Sequence, residues 1–501
     1  MTFDVNREYV VDELANAGYL LDAEAEEFIL ANSDPLNFAK DAISRLMTRP
    51  LVVTMRDLRT VCHVETIDAL TQKGPNHLDS IGPREYLDGD VVVLQDITGA
   101  SHCVGSIDGF SHYFMNRFTS IRGMLQKRRD MSGSCTIARA SDPNRQMVEK
   151  EIKIIGIVNE VKETKTGDHI IELEDETGRI TVMLGRDAKG GNDSILNDEV
   201  VGIIGKPARR GGTWEKGGSS GTKMNATEIV RPDVPISSGM QRTDSSSIIG
   251  FMSDVHVGSK TFLAPEWKRM MEWLKTDAVD LGMNYLLIPG DVVDGIGIYP
   301  DQESELDVPD IFEQYHVLAE YLKEIPDSIQ VIVQPGNHDA VRPAEPQPAF
   351  EGDFANMFDS NAILIGNPCY LKIEGRTILS YHGKSFDDLM SSVKGLNYSK
   401  PIDAMKEMLK RRHLASTYGG KTPLAPEPRD MMVIDRVPDI FVTGHVHAAG
   451  LSHYKGVRLI NASTWQSQTS FQKMHNFTPD PAKLYLVHLG TGETDLQSFM
   501  Y

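Results

Sequence analysis

From residue 247 onward the chain alternates two hydrophobic periodicities. Short apolar runs at 247–252, 285–288, 330–333, 378–381, 440–443, 458–460 and 483–489 read as buried strands. Patterns of helical spacing at 267–274 and 311–323 fall between them. The alternation predicts a layered α/β domain over 247–501. Nearer the N-terminus, Val10, Val11, Leu14 and Ala17, then Phe28, Ile29 and Leu30, recur at helical spacing, and Asp34-Pro35 caps a further helix at 36–46. Residues 1–47 therefore read as a small helical interaction module, too short to bury much surface alone.

Between these ends the pattern is mixed. Residues 48–149 read as a linker with a short strand at 91–94 and a helix at 109–128. That helix carries the stripe Phe110, Phe114, Phe118 and Ile121, expected to pack on the core. Residues 152–158, 170–174, 180–184, 200–204 and 225–230 are five strand patterns, with turns at Thr166-Gly167 and Thr177-Gly178. They predict a small five-stranded barrel of the oligonucleotide-binding type over 150–235. Its late loop carries Lys206, Arg209, Arg210, Lys216 and Lys223 around Trp214, against the single acid Glu215. Such a loop suits single-strand binding by phosphate attraction and base stacking, or is a solvated hairpin. A Ser-rich linker at 236–246 follows. The fold class expected is α+β and multidomain.

Composition changes this picture in three ways. The 501 residues carry a formal net charge of −20, which argues against a general basic coat for nucleic acid. Residues 150–232, however, hold thirteen basic and fourteen acidic side chains, so the acidic excess lies outside the barrel. No run of apolar residues is long enough to span a bilayer, and the acidic N-terminal stretch is unlike a signal peptide, so a cytoplasmic protein without membrane contact is expected. Cys62, Cys103, Cys135 and Cys369 are scattered and form no CxxC pair, against a disulfide framework or zinc ribbon.

Candidate chemistry sits at the ends of the strands predicted after 247. Five motifs follow in order: Ser253-Asp254-Val255-His256, Gly290-Asp291 with Asp294, Gly336-Asn337-His338-Asp339, Tyr381-His382-Gly383 and Gly444-His445-Val446-His447. Loops beyond the carboxyl ends of strands in layered α/β domains gather ligand residues. Imidazole, carboxylate and amide without thiolate suit Mn, Fe, Zn or Ni. The count fits two divalent ions, with Asp291 able to bridge them. Asp254, His256 and His447 would complete one set, and Asn337, His382 and His445 the other. A turn after the strand would send one histidine of Gly444-His445-Val446-His447 to each. His338 is the spare imidazole, placed to act on a leaving oxygen or the transferring phosphoryl group. Asp294 and Asp339 are candidates to orient imidazoles. The other reading of the cluster is a metal site that serves architecture alone.

These motifs resemble those of the calcineurin-like metallophosphoesterase superfamily over 248–490. Members hydrolyse phosphomonoesters or phosphodiesters, and the resemblance implies the same roles for the residues above. A closer resemblance is to the small subunits of archaeal family D DNA polymerases. It rests on Pro335-Gly-Asn-His-Asp-Ala-Val-Arg-Pro-Ala-Glu-Pro-Gln-Pro348, Tyr418-Gly-Gly-Lys-Thr-Pro-Leu-Ala-Pro426, Asp439-Ile-Phe-Val-Thr-Gly-His-Val-His447 and Asn461-Ala-Ser-Thr-Trp-Gln466. That family implies a barrel followed by a metallophosphoesterase domain, a 3′–5′ exonuclease acting on single-stranded DNA 3′ ends with two divalent cations, Mn²⁺ foremost, and a large catalytic subunit as partner. A catalytically silent structural subunit is the alternative, and a protein or cyclic-nucleotide phosphoesterase a third reading.

Overall fold

The computed structural model describes residues 91–141, 151–207, 223–237, 239–474 and 476–500, with short pieces at 20–21, 29, 39–40, 52–53 and 84–85. The chain divides into two compact units, Met1–Gly82 and Pro83–Tyr501. In the first, Leu20–Leu21 pairs in parallel with Val52–Val53, and Ile29 and Ala39 are buried. The helical module read at 1–47 falls within this unit. Its predicted helices, apart from Ile29, Ala39 and Lys40, lie outside the described residues.

In the second unit, β1 (Arg84–Glu85) and β2 (Val91–Gln95) form a hairpin edge, and α1 (Ile107–Gln126) follows. Ser106 caps α1 by accepting from the Gly109 N–H. The buried face of α1 is Tyr113, Arg117, Phe118, Ile121 and Leu125. Phe110 and Phe114 are only half-buried and meet the Tyr418 ring edge-on. The expected aromatic stripe is therefore rotated, with a charged residue at its centre.

Next come β3 (Ile152–Glu163), β4 (His169–Asp175), β5 (Gly178–Lys189), β6 (Val200–Pro207) and β7 (Lys223–Val230). They close into a barrel in the order β3-β4-β5-β7-β6, with β5 and β7 parallel. Inward residues alternate along the strands, as in Ile171 and Leu173 of β4 and Ile180, Val182 and Leu184 of β5. Lys206 is exposed near the end of β6 and Lys223 opens β7. Arg209, Arg210, Trp214 and Lys216 lie outside the described residues. The linker at 236–246 is pinned, with Ser237 N–H donating to Lys455 O and Thr243 N–H to Gly490 O.

The remaining strands build two sheets. One has six strands, with β8 (Ile248–Phe251), β9 (Met283–Pro289), β10 (Gln330–Gln334) and β11 (Ala362–Leu364) parallel, and β17 (Lys483–His488) and β18 (Thr494–Ser498) completing its edge. The other has seven: β15 (Ala449–Tyr454), β16 (Val457–Ala462), β14 (Ile440–Thr443), β13 (Arg376–Ser380), β12 (Cys369–Ile373), β2 and β1. Alternation assigns the layers. Ile249, Phe251, Leu287 and Ile332 meet Leu371, Ile378, Val442 and Ile460 between the sheets. On the outer face of the first sheet, Leu286, Ile288, Val331 and Val333 pack under α2 (Ala264–Leu274) and α3 (Ile311–Lys323). On the outer face of the second, Leu379, Phe441 and Leu459 pack under α4 (Phe386–Ser392) and α5 (Pro401–Arg411). The result is an α/β/β/α sandwich. The strand predicted at 91–94 is a working member of it, pairing antiparallel with β12.

Candidate metal centre

Each of the five motifs occupies the loop after a parallel strand: Asp254 and His256 after β8, Asp291 and Asp294 after β9, Asn337 to Asp339 after β10, His382 after β13, and His445 and His447 after β14. The two sheets aim these loops at one point. The turns are sharp. Asp254, His256, Asp291, His445 and His447 all have φ between 50° and 69°, the left-handed region that costs an ordinary residue about 1–2 kcal/mol. Five such residues among the candidate ligands mark a site whose backbone the surrounding fold holds in place. Two glycines permit the close approach. A Cβ on Gly336 would strike the Asp291 carboxylate, and one on Gly444 would strike Ser253 and Asp254.

The donor atoms form three groups, and His256, Asp294 and His338 make one that shares His256 with the first of the two described next. In the first, Asp254, His256 and His447 converge. His256 Nε2 lies 3.0 Å from His447 Nε2, which lies 3.3 Å from Asp254 Oδ1. In the second, His382 Nε2 is 3.2 Å from Asp291 Oδ2 and 3.2 Å from Asn337 Oδ1, with His445 completing the group. Asp291 Oδ2 stands between them, 4.0 Å from His256 Nε2 and 3.9 Å from His338 Nε2. The other oxygen of Asp291 accepts from the His338 N–H at 2.9 Å, and both oxygens of Asp254 accept from the His445 N–H at 3.1 and 2.9 Å. Backbone donors thus fix the carboxylates. The positive φ at His445 and His447 divides the pair between the groups.

The far ring nitrogens are held. His256 Nδ1 is 3.0 Å from Asp294 Oδ1, His382 Nδ1 is 2.8 Å from Pro289 O, and His338 Nδ1 is 2.7 Å from Asp294 O. Asp294 also accepts from Gln466 at 3.0 Å and Gln302 at 3.2 Å. Orientation of this kind raises ligand basicity. Asp339 does otherwise. It contacts no imidazole among the described hydrogen bonds. Its carboxylate accepts from Gly336 N at 2.7 Å and from the Val292 and Val293 N–H groups at 3.3 Å, and from Tyr315 OH at 3.2 Å. Asp339 therefore ties the β9 loop to the β10 loop. Its position next to the Asn337-His338 pair suggested imidazole contact, but the chain turns it towards backbone.

Electrostatics follow from burial and crowding. Burial opposes charge on His256, yet the Asp254 and Asp294 carboxylates raise it to about 10. Burial likewise opposes charge on His382, and Asp291 raises it to about 9. Burial pushes His338, His445 and His447 down, which keeps their lone pairs free. Burial pushes Asp339 up to about 7, helped by the neighbouring Asp291.

Residues outside the predicted set complete the site. Asn461 Nδ2 donates to Gly444 O at 2.8 Å, and Thr464 Oγ1 and Trp465 N donate to Asp254 O at 2.9 and 2.8 Å. The Asn461-to-Gln466 stretch is thus a brace for two motifs. Gln472 contacts His447 Nδ1 at 2.8 Å, and Asp387 lies 3.5 Å from His445 Nε2. A cavity of about 430 Å³ opens over the cluster. Nitrogen and oxygen donors converging in pairs, with no thiolate, fit borderline divalent cations.

A sandwich with this loop cluster has a match among known families. The family described as the DNA polymerase alpha/epsilon B-subunit matches residues 251–449, which include all five motifs. The "DNA polymerase II small subunit" of Archaeoglobus fulgidus is 43% identical over 79% of this chain and 78% of its own length. That of Thermoplasma acidophilum is 40% identical over 79% and 78%, and that of Halobacterium salinarum 35% identical over 98% of each. The chain belongs to the family of archaeal DNA polymerase II small subunits.

Proposed function

We propose that this subunit is a 3′–5′ exodeoxyribonuclease of calcineurin-like architecture, hydrolysing phosphodiester bonds at single-stranded DNA 3′ ends while partnered by the polymerase's large catalytic subunit. The observation that carries the reading is the division of buried donors into two groups about Asp291 Oδ2. Asp254, His256 and His447 would hold one cation, Asn337, His382 and His445 the other, with Asp291 between. Bound Mn²⁺, or Fe, Zn or Ni in its place, would supply charge neutralisation of the phosphodiester and activation of water. His338 is half-buried at the cavity, anchored through Nδ1 to Asp294 O, with Nε2 directed to the cluster. Asp294 O accepts from the Nδ1–H, so Nε2 is the atom open to the cavity, and in its protonated form it would donate to the leaving oxygen. The barrel, with Lys206 and Lys223 bordering its basic loop, would carry the strand to the site. Among the described residues no helix is long and apolar enough to cross a membrane.

The test is release of mononucleotides from a 3′-labelled single strand by the metal-loaded chain, alone and with its large subunit. Chelation should abolish it, and His338→Ala should lower it about 10²–10⁴-fold. A folded, metal-loaded wild type that cleaves no DNA in either form would overturn the nuclease reading. Undiminished activity of His338→Ala would remove His338 from its role.

A further inference from the structure

The cavity over the cluster has a second wall of different chemistry. Tyr398 and Phe477 line it, their rings 6.4 Å apart and inclined by 65°. Tyr398 is 37% exposed. Its hydroxyl donates to Asp387 Oδ1 at 2.9 Å, and Asp387 Oδ2 lies 3.5 Å from His445 Nε2. Phe477 is held by its N–H, which donates to Gln472 O at 2.9 Å, and Gln472 touches His447. Each ring is thus one residue removed from a candidate metal ligand. Lys421 lines the same cavity. It is exposed, its backbone N–H donates to Asp388 Oδ1 at 2.6 Å, and its ammonium meets no carboxylate among the described ion pairs. Lys384 differs, since Asp387 Oδ2 neutralises it at 2.9 Å.

Two half-exposed aromatic rings and a free ammonium beside a phosphodiester site form an uncommon grouping. Aromatic faces stack nucleobases without regard to sequence, and a lysine attracts phosphate. A volume of about 430 Å³ is that of a small-ligand site, enough for one nucleotide. We infer that Tyr398 and Phe477 receive the nucleobase of the terminal nucleotide while Lys421 attracts its phosphate. The inference rests on the nuclease reading and adds to it a preference for ends whose last base is unstacked. The ring of Tyr398 supplies the surface, and its hydroxyl, fixed by Asp387, sets the ring's angle.

The experiment compares two 3′-labelled single strands with the full chain, one ending in an ordinary nucleotide and one in a base-free deoxyribose. Binding of thymidine 5′-monophosphate and of deoxyribose 5-phosphate is measured alongside by calorimetry. Wild type should favour the base-bearing ligand of each pair about 5- to 100-fold, expressed in KM and in affinity. Tyr398→Ala and Phe477→Ala should bring the members of each pair together, and Tyr398→Phe should restore most of the difference. Lys421→Ala should weaken both phosphates several-fold and leave the base preference intact. A preference that survives Tyr398→Ala and Phe477→Ala overturns the inference. So does a Tyr398→Phe variant as impaired as Tyr398→Ala, which would assign Tyr398 to holding Asp387. If wild type cleaves neither strand, the nuclease reading fails, while the calorimetric pair still decides whether the wall receives a base.

Discussion

Two buried clusters in this molecule pair carboxylates with imidazoles, and they are built on opposite rules. Under α1, Arg117 is fully buried and its guanidinium donates to Asp430 Oδ2 at 2.8 Å, Ser416 O at 2.6 Å and Asp198 O at 3.3 Å. His413 Nδ1 accepts from the Ala415 N–H at 3.1 Å, which places the proton on Nε2, 2.9 Å from Asp430. Every donor there faces an acceptor. At the candidate metal centre lone pairs outnumber donors: the ring nitrogens of His256 and His447 stand 3.0 Å apart with room for one proton between them, and carboxylates and an amide oxygen crowd the same space. The first cluster is complete within the protein and ties α1 and the barrel to the sandwich. The second is complementary to positive charge supplied from elsewhere. Burial and residue type alone do not separate structural from functional clusters. The pairing of donors with acceptors does.

The largest effect expected from breaking this comparison is on the closed cluster. Arg117→Met removes the cation from a buried pair and leaves the Asp430 carboxylate with the His413 Nε2–H still donating to it but no opposite charge in contact. A loss of about 3–5 kcal/mol in urea unfolding is expected. Metal stoichiometry of the folded variant should stay at the wild-type value, because no atom of the centre touches Arg117. The open cluster should behave in reverse. A divalent cation at a hundred times its Kd should stabilise the wild type by about 2.7 kcal/mol. Asp291→Asn should erase most of that gain, read as a melting temperature insensitive to chelator. A variant still stabilised by cation to the wild-type extent would show that Asp291 does not join the two groups.

A smaller effect tests the braces. Gln466 donates to Asp294 Oδ1 at 3.0 Å and to Ser259 Oγ at 2.8 Å, and Asp294 in turn holds His256. Gln466→Leu keeps the volume and removes the donor. Metal affinity should fall about 10- to 100-fold by competition with a chelating dye. Gln497→Leu, half-buried on the edge strand β18, should leave it unchanged.

The sequence discloses these two clusters unequally, for physical reasons. The candidate ligands of the centre are legible because they fall in short motifs at strand ends, four of the seven directly beside a glycine, so local spacing encodes the geometry. The strands of the sandwich are legible because their faces are buried on both sides. Arg117 is hidden in an aromatic helix face, where a basic residue suggests solvent, and its partner is 313 positions away. The pairing of Val91–Gln95 with Cys369–Ile373 is equally remote and carries no local mark. Asp387, Gln472 and Tyr398 reach the site from other elements as single polar residues without a motif. Asp339 shows the converse error: adjacency to His338 in the chain suggested contact with an imidazole, and the turn delivers its carboxylate to three backbone N–H groups instead.

Acid titration sharpens the contrast in its smallest term. Burial works against ionisation of Asp430, but His413 and Arg117 together hold its carboxyl below the usual range. A group whose pKa is lowered on folding stabilises the native state above its unfolded value, near 4. Below that pH the unfolded chain binds a proton that the folded chain refuses, so this stabilisation falls as the pH falls. The slope for one proton is about 1.4 kcal/mol per pH unit. Asp430→Asn removes this term, so wild type should lose stability faster than the variant as the pH falls from about 4 to about 3, the difference in slope approaching that value at the lower end, measured by urea unfolding in metal-free buffer. Parallel curves would mean that the folded Asp430 takes up its proton as readily as the unfolded one. The cluster under α1 would then not be the closed charge pair that its geometry describes.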